Sequence, residues 1–358
     1  MLQKERISRV LEAMARDHIE QLIVSSPSSV FYLTGKWIAP GERMLALYLH
    51  ANGTVRLFAN RLFALTDTLD TPLTEFDDTE DCVAILANFL RPGKIGIDKF
   101  WPSQFTIRLM ESRSDILPVI GSQYIDSVRL CKDAQELQLM RESSRKNDAA
   151  TMAAISRIRL GMTEQELAGI HTQEAEARGS SGPSFEPLIC FGANAAEPHH
   201  ATDKHTVLTN GDAVILDVGL TWQDYCSDMT RTVFMGNPTD EQKRVYEIVK
   251  AANAAGRAAV HPGVRMKDID FAARKVIEDA GYGAYFIHRT GHGIGLDVHE
   301  YPDVSSVNDL PAKPGMVFSV EPGIYLPGRF GIRVEDLVAV TEDGAETLNA
   351  ASRELQIL

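Results

Sequence analysis

Basic residues are in short supply in this 358-residue chain: 36 Lys and Arg stand against 49 Asp and Glu, a formal charge of −13. Nucleic acid and anionic membranes are recognised through basic patches, so neither is expected as a partner. Cysteine is also sparse. Cys82, Cys131, Cys190 and Cys226 are scattered, with no CxxC pair, and scattered thiols in a large chain read as reduced and buried, which places the protein in the cytoplasm. No apolar run approaches the ~18 residues of a membrane span. Met1-Leu2-Gln3-Lys4-Glu5-Arg6 has no apolar h-region behind it, so no signal peptide is expected. Internal repeats and low-complexity segments are absent. What remains is ordinary for a soluble globular protein, 44% apolar and 24% charged, which excludes a collagenous or disordered chain. The length suits two or three domains and a sizeable core.

Apolar spacing predicts a helix over residues 4–18, a buried strand over 21–25 and a turn at Ser26-Pro27. Residues 44–49 and 54–58 read as strands joined at Ala51-Asn52-Gly53. A helix over 81–90 and a strand over 94–97 complete a small α/β domain ending near residue 125. The boundary is expected between 125 and 133, inside a connecting helix. Beyond it a long helix runs from Asp133 to about Leu160, stopped by Gly161. Thr163 with Glu166 is a capping box for the next helix. Strands over 214–216 and 231–234, helices over about 239–260 and 266–280, and further strands follow.

Five segments of the second half place unusual polar residues in strand or turn settings: Asp217 behind Ile215-Leu216, Asp228 in Ser227–Thr232, His292 and His299 in Thr290–Glu300, Glu321 in Phe318–Gly323, and Glu335 in Gly331–Asp336. Singly, each has an ordinary structural role open to it. Asp217 suits a strand end, Asp228 a turn, His292 a structural imidazole among glycines, and Glu335 a pairing with Arg333 on the same strand face. Glu321 between Val320 and Pro322 is the hardest to explain that way, because a buried carboxylate demands a cation. Together, two Asp, two Glu and one His make an oxygen-rich set with one imidazole. That set suits divalent Mn or Co, with Zn as a further candidate, and four carboxylates can balance two dications that hold a hydroxide between them. The glycines around His292 have the wrong spacing for a dinucleotide fingerprint. His299 sits in a strand-like run that keeps it off the metal of His292. His199-His200 lies in a loop after Pro198, where such histidines can serve a developing oxyanion.

In the segments ILDVG, SDMTRT, TGHGIGLDVHE, VEPGIY and GIRVED, with PHH at 198–200 as a weaker sixth, the sequence resembles the pita-bread metallopeptidases, in particular the Xaa-Pro dipeptidases (prolidases) and aminopeptidases P. The resemblance implies an α/β creatinase-like domain over 1–128 and an α+β pita-bread catalytic domain over 129–358. It implies two divalent ions per chain held by Asp217, Asp228, His292, Glu321 and Glu335, with Asp228 and Glu335 bridging. Glu321 is then also the general base towards a metal-bridging hydroxide, His199 and His299 position substrate and stabilise the tetrahedral intermediate, and Arg333 supports the ligands from behind. The implied reaction is hydrolysis of the bond before proline in a small peptide, by a homodimeric enzyme. Such a bond has no N–H and a restricted geometry.

One departure stands out. Some dipeptidases of this group carry a basic residue just after the HExP segment to hold the substrate carboxylate; here His299-Glu300-Tyr301-Pro302 is followed by Asp303. Arg333 is the substitute anchor the sequence offers. The competing expectations are an aminopeptidase P acting on longer peptides and, from another class, a metal-free pita-bread binding module. Creatinase chemistry without metal is disfavoured because all five ligand positions hold Asp, Glu or His, and a methionine aminopeptidase is disfavoured by the long N-terminal domain.

Overall fold

The computed structural model describes residues 2–65 and 69–358. It divides into two compact units, Met1–Arg129 and Leu130–Leu358. No described helix is long and apolar enough to cross a membrane.

The first unit carries β1 (Gln21–Val24), β2 (Ala46–His50), β3 (Val55–Asn60), β4 (Leu73–Phe76), β5 (Gly93–Ile97) and β6 (Ile116–Ile120) in one sheet, ordered β4-β3-β2-β1-β5-β6. The β1–β2 and β2–β3 pairs are antiparallel; the outer pairs are parallel. Its helices are α1 (Lys4–Arg16), α2 (Pro27–Thr34), α3 (Cys82–Phe89), α4 (Ser103–Ser112) and α5 (Ser122–Arg129). Ser26-Pro27, expected as a turn, instead opens α2. Proline at the first helical turn has the right φ and loses no hydrogen bond, and Gly35 closes the helix in the left-handed region at φ 71°. Helix α2 is buried nearly all round and its apolar residues run together from Val30 to Leu33, so no one-sided stripe marks it in the sequence.

The second unit begins with α6 (Ala134–Ile155) and α7 (Glu164–Glu176). The expected connecting helix is broken: α5 stops at Arg129, and Cys131 makes a β-bridge with Met316 before α6 starts. Helix α6 also ends earlier than Gly161. The Ser156 hydroxyl donates to the Ala153 carbonyl at 2.7 Å, and the chain then turns so that the Gly161 N–H reaches Leu208 O. The Thr163–Glu166 capping box is present. Strands β7 (Gly182–Pro183), β8 (Leu188–Phe191), β9 (Ala213–Val218), β10 (Leu220–Trp222), β11 (Tyr225–Cys226) and β12 (Met229–Phe234) form the sheets β11-β10-β7 and β12-β9-β8. Helices α8 (Asp240–Ala258) and α9 (Met266–Asp279) follow. Strands β13 (Gly291–Gly293), β14 (Glu300–Val304), β15 (Val317–Val320), β16 (Gly323–Leu326), β17 (Phe330–Arg333), β18 (Asp336–Val340) and β19 (Ala345–Thr347) make the sheet β14-β13-β15-β18-β19 and the hairpin β16-β17.

Several side chains join the two halves of this unit, Arg231 foremost among them in the number of its bonds. Arg231 of β12 is 2% exposed, and all five of its N–H groups are used. They reach the carbonyls of Thr230, Glu335, Ala351 and Ser352 and the carboxylate of Asp336 at 2.6–3.0 Å. Arg353 also donates to Asp336, at 2.7 Å. Replacing Arg231 with Met strands buried acceptors and should lower the unfolding free energy by about 3–5 kcal/mol. Urea unfolding of Arg231→Met measures this, and a loss below about 1 kcal/mol contradicts it.

Candidate metal centre

The ends of the strands that these side chains join define the site. Pairing of β9 with β12 sets Asp217 opposite Thr230, and Asp228 lies just before β12. His292 is central in β13, Glu321 follows β15, and Glu335 lies between β17 and β18. β13 and β15 approach closely because residue 291 is glycine; a Cβ there would come within 1.9 Å of the Ser319 carbonyl oxygen.

On the floor, His292 Nε2 lies 3.6 Å from Asp228 Oδ2 and 3.4 Å from Glu321 Oε1. Ligand atoms of Asp228, His292 and Glu335 fall within 4.8 Å of one another. His292 Nδ1 is 3.1 Å from the Gly293 carbonyl, which assigns the proton to Nδ1 and leaves Nε2 a lone pair. The imidazole lone pair therefore faces carboxylate oxygens of Asp228 and Glu321. Asp228 Oδ1 and Glu335 Oε1 are buried without any hydrogen-bond partner. An unpaired buried acceptor costs ~1–3 kcal/mol, and more when charged. Burial, reinforced by repulsion within the set, holds the carboxyls of Asp228 and Glu335 well above the usual carboxylate range. Burial likewise pushes Glu321 up to about 7 and His292 down to about 3. A divalent cation held by Asp228, His292 and Glu335 would supply the missing partner, and carboxylate oxygens with one imidazole are its natural donors. The residues present fit such an ion.

Asp217 is held differently. Arg333 donates to its Oδ2 at 2.5 Å, to Thr230 Oγ1 at 3.1 Å and to the Tyr325 hydroxyl at 2.9 Å. Thr230 Oγ1, having accepted from Arg333, donates to Glu335 Oε2 at 2.7 Å, so one oxygen of Glu335 is fixed and the other stays bare. Arg333 thus pairs with Asp217 and not with Glu335. The chain leaves β17 immediately after Arg333, and the alternation that would have put the two on one strand face no longer applies.

Above the floor opens a cavity of about 440 Å³, lined by all five expected ligands, Arg333, His199, His299, His288 and Arg289, with Phe185, Leu188, Pro198 and Val298 as apolar wall. The run before His299 is not a strand. Glu300 accepts the N–H groups of Leu296 and Asp297 at 2.8 and 3.1 Å and an ammonium hydrogen from Lys132 at 3.1 Å. The turn this builds brings the His299 ring to 4.1 Å from that of His292. His200 points elsewhere. Glu164, fully buried, accepts from the Phe191 and Asp203 N–H groups, the Asn194 amide and His200 Nε2 at 2.8–3.2 Å, leaving His199 at the cavity mouth.

Residues 138–342, which contain every ligand candidate, match the Metallopeptidase family M24. The chain belongs to metallopeptidase family M24. Residues 6–131 match the Creatinase/Prolidase N-terminal domain, so the M24 chain has the two-domain creatinase-like and pita-bread architecture. It is 32% identical to the Xaa-Pro dipeptidase of Pyrococcus furiosus over 360 residues, covering 98% of this chain and 99% of that one. Among solved structures it resembles a prolidase from Thermococcus sibiricus (35% identity, TM-score 0.96, both chains covered 100%). A dipeptidase from Pyrococcus horikoshii is similar as well (36% identity, TM-score 0.93, 99% of this chain and 100% of that one).

Sequence reasoning passed over His288, Arg289, Thr230 and Tyr325. Their signal was position, since each lies within or beside a quoted motif. In this M24 chain His288 Nδ1 donates to the Arg289 carbonyl at 2.7 Å, its Nε2 accepts from the Tyr325 hydroxyl at 2.9 Å, and burial pushes its imidazole down to about 4. The native state therefore stays neutral there, while the unfolded chain takes a proton below about pH 6.5. This stabilisation is present above about pH 6.5 and is lost as pH falls towards 4, up to about 3 kcal/mol. Chelated His288→Asn should show a shallower loss of urea stability between pH 7 and 5 than chelated wild type; equal slopes contradict it.

Proposed function

We propose that this M24 enzyme is a prolidase, hydrolysing Xaa-Pro dipeptides with two divalent ions held by Asp217, Asp228, His292, Glu321 and Glu335. The observation that carries the reading is the pair of buried, unpartnered oxygens, Asp228 Oδ1 and Glu335 Oε1, grouped with His292 at the floor of a cavity sized for a short peptide. Relatives named Xaa-Pro dipeptidase and prolidase, similar over nearly the whole chain, support the substrate class. Four carboxylates suit two dications with Asp228 and Glu335 shared, and the oxygen-rich set favours Mn or Co over Zn. The ions, when bound, supply Lewis acidity and a water that ionises at neutral pH.

The chain's residues do the rest. Glu321 takes the proton of the attacking water and returns it to the proline nitrogen as that leaves. His199 and His299, at the mouth, donate to the oxyanion that develops on the scissile carbonyl. Arg333 fixes Asp217 and, through Thr230, Glu335. The apolar wall of Phe185, Leu188, Pro198 and Val298 receives the pyrrolidine ring. Free thiols at Cys82, Cys131, Cys190 and Cys226 support a reducing compartment, the cytoplasm, and a homodimer follows from the family resemblance.

Chelation should abolish hydrolysis of Ala-Pro, and Mn should restore it at about two ions per chain while raising the thermal midpoint by mass action. Full turnover by metal-free protein overturns the metal assignment. A clear kcat/KM preference for Ala-Pro-Ala over Ala-Pro moves the enzyme to the aminopeptidase P class.

The two mouth and floor roles separate cleanly. Glu321→Gln should abolish turnover, because the amide keeps the shape and can neither take a proton nor supply charge. His299→Ala should lower kcat by about 10²–10³ with metal content intact. Near wild-type kcat in the first variant, or loss of one metal equivalent in the second, reverses the corresponding assignment.

A further inference from the structure

Lysine is seldom buried unless its ammonium is paired. Among the described residues Lys132 is the only buried lysine, 6% exposed. It stands just before α6, on a backbone fixed from both sides. Its N–H donates to Gly315 O at 2.8 Å, the residue before it bridges to Met316, and Asp133 after it closes the capping box of α6. The approach to Gly315 needs a glycine: φ there is 89°, and a Cβ would come within 2.8 Å of the Lys132 carbonyl oxygen.

The ammonium reaches across the fold to Glu300, donating to Oε2 at 3.1 Å, and the two side chains are 2% and 7% exposed. The other oxygen of Glu300, Oε1, accepts the N–H groups of Leu296 and Asp297. Gly295 makes room for this carboxylate, since a Cβ there would lie 2.7 Å from Oε1. The Gly295 carbonyl is held in turn by the Cys226 N–H at 2.8 Å. One carboxylate thus ties residues 296 and 297 back to residue 300. Between them His299 is presented edge-on to His292, the rings 4.1 Å apart at 80°. His299 lines the cavity; Lys132 and Glu300 stand behind it and do not.

A buried ion pair is often no more stabilising than apolar residues of the same volume, yet removing one partner strands the other charge. Without the ammonium, the Glu300 carboxylate is drawn towards water and lets go of the two N–H groups that shape the turn. We infer that Lys132 is a positioning residue of the reaction: through Glu300 it holds the turn that aims the His299 imidazole at the developing oxyanion. This rests on the role proposed for His299 above. A misplacement of ~1 Å at such a group can cost about 10²-fold in rate, even when the change lies far from the chemistry.

The test measures kcat, KM, metal content and thermal midpoint with Ala-Pro and Mn for wild type, Lys132→Met, Lys132→Arg, His299→Ala and the double variant Lys132→Met/His299→Ala. Lys132→Met should lose about 10- to 100-fold in kcat, no more than His299→Ala loses, with KM within about twofold and both ions retained. Lys132→Arg, which restores the charge, should recover part of the loss. In the His299→Ala background Lys132→Met should cost less than about twofold, because the group it positions is gone. A pair serving stability alone lowers the thermal midpoint and leaves kcat near wild type. That result, an equal loss in both backgrounds, or loss of an ion overturns the proposal while the role of His299 stands. If the methionine variant does not fold, Lys132→Gln, neutral but still a donor, takes its place in the same cycle with the same outcomes. If His299→Ala keeps wild-type kcat, or wild type leaves Ala-Pro intact, the reading of the site falls and takes Lys132 with it.

Discussion

Negative charge buried without its counter-ion is the constraint on which the second unit is built. Two carboxylates ~4 Å apart repel by about 4 kcal/mol at an effective dielectric of 20, and Asp228 and Glu335 are each about as buried as the apolar core. The fold meets only part of this cost from its own groups. Arg333 neutralises Asp217, Thr230 donates to one oxygen of Glu335, and Ser319 donates to Glu321 Oε1 at 3.1 Å. Asp228 Oδ1 and Glu335 Oε1 are left bare. Such a site is a poor structural element and a good cation trap, because the free energy missing from folding becomes available to binding.

Floor and mouth are built from different parts of the chain. The ligand candidates stand in or at the ends of strands, whose register fixes them against one another. The groups proposed to meet substrate stand on turns, each tied down by a buried or half-buried carboxylate. Glu300 gathers the turn before His299, and Glu164 gathers the segment around His199. Rigid strands suit atoms that must share ions within a few ångströms. Tethered turns suit side chains that admit a substrate and then close on it.

Periodicity made most of the fold legible. The helices and strands expected in the first unit are all present; α2, α4, α5, β4 and β6 were not expected, and α2, buried nearly all round, carries no one-sided apolar stripe. The ligand candidates were legible because acids in apolar strand contexts are costly and therefore informative, and all five do line one cavity. Roles decided by long-range pairing were not. Nothing local shows that Arg333 turns to Asp217 instead of Glu335, or that Glu300 folds the chain back to set His299 against His292. Nor does the sequence distinguish a committed arginine from a free one, since that depends on partners more than 80 residues away along the chain, as with Arg333 and Thr230.

The bonding of Arg231 also has a bearing on the order of events during synthesis. Its guanidinium closes on the carbonyls of Ala351 and Ser352, and β12 is then extended by hydrogen bonds from Phe234 N–H to Gln356 O and from Gly236 N–H to Leu358 O. The strand that follows Asp228 is therefore completed by residues the ribosome makes after every ligand candidate. Until those residues are made, Arg231 lacks two of its five acceptors and β12 lacks the segment that extends it.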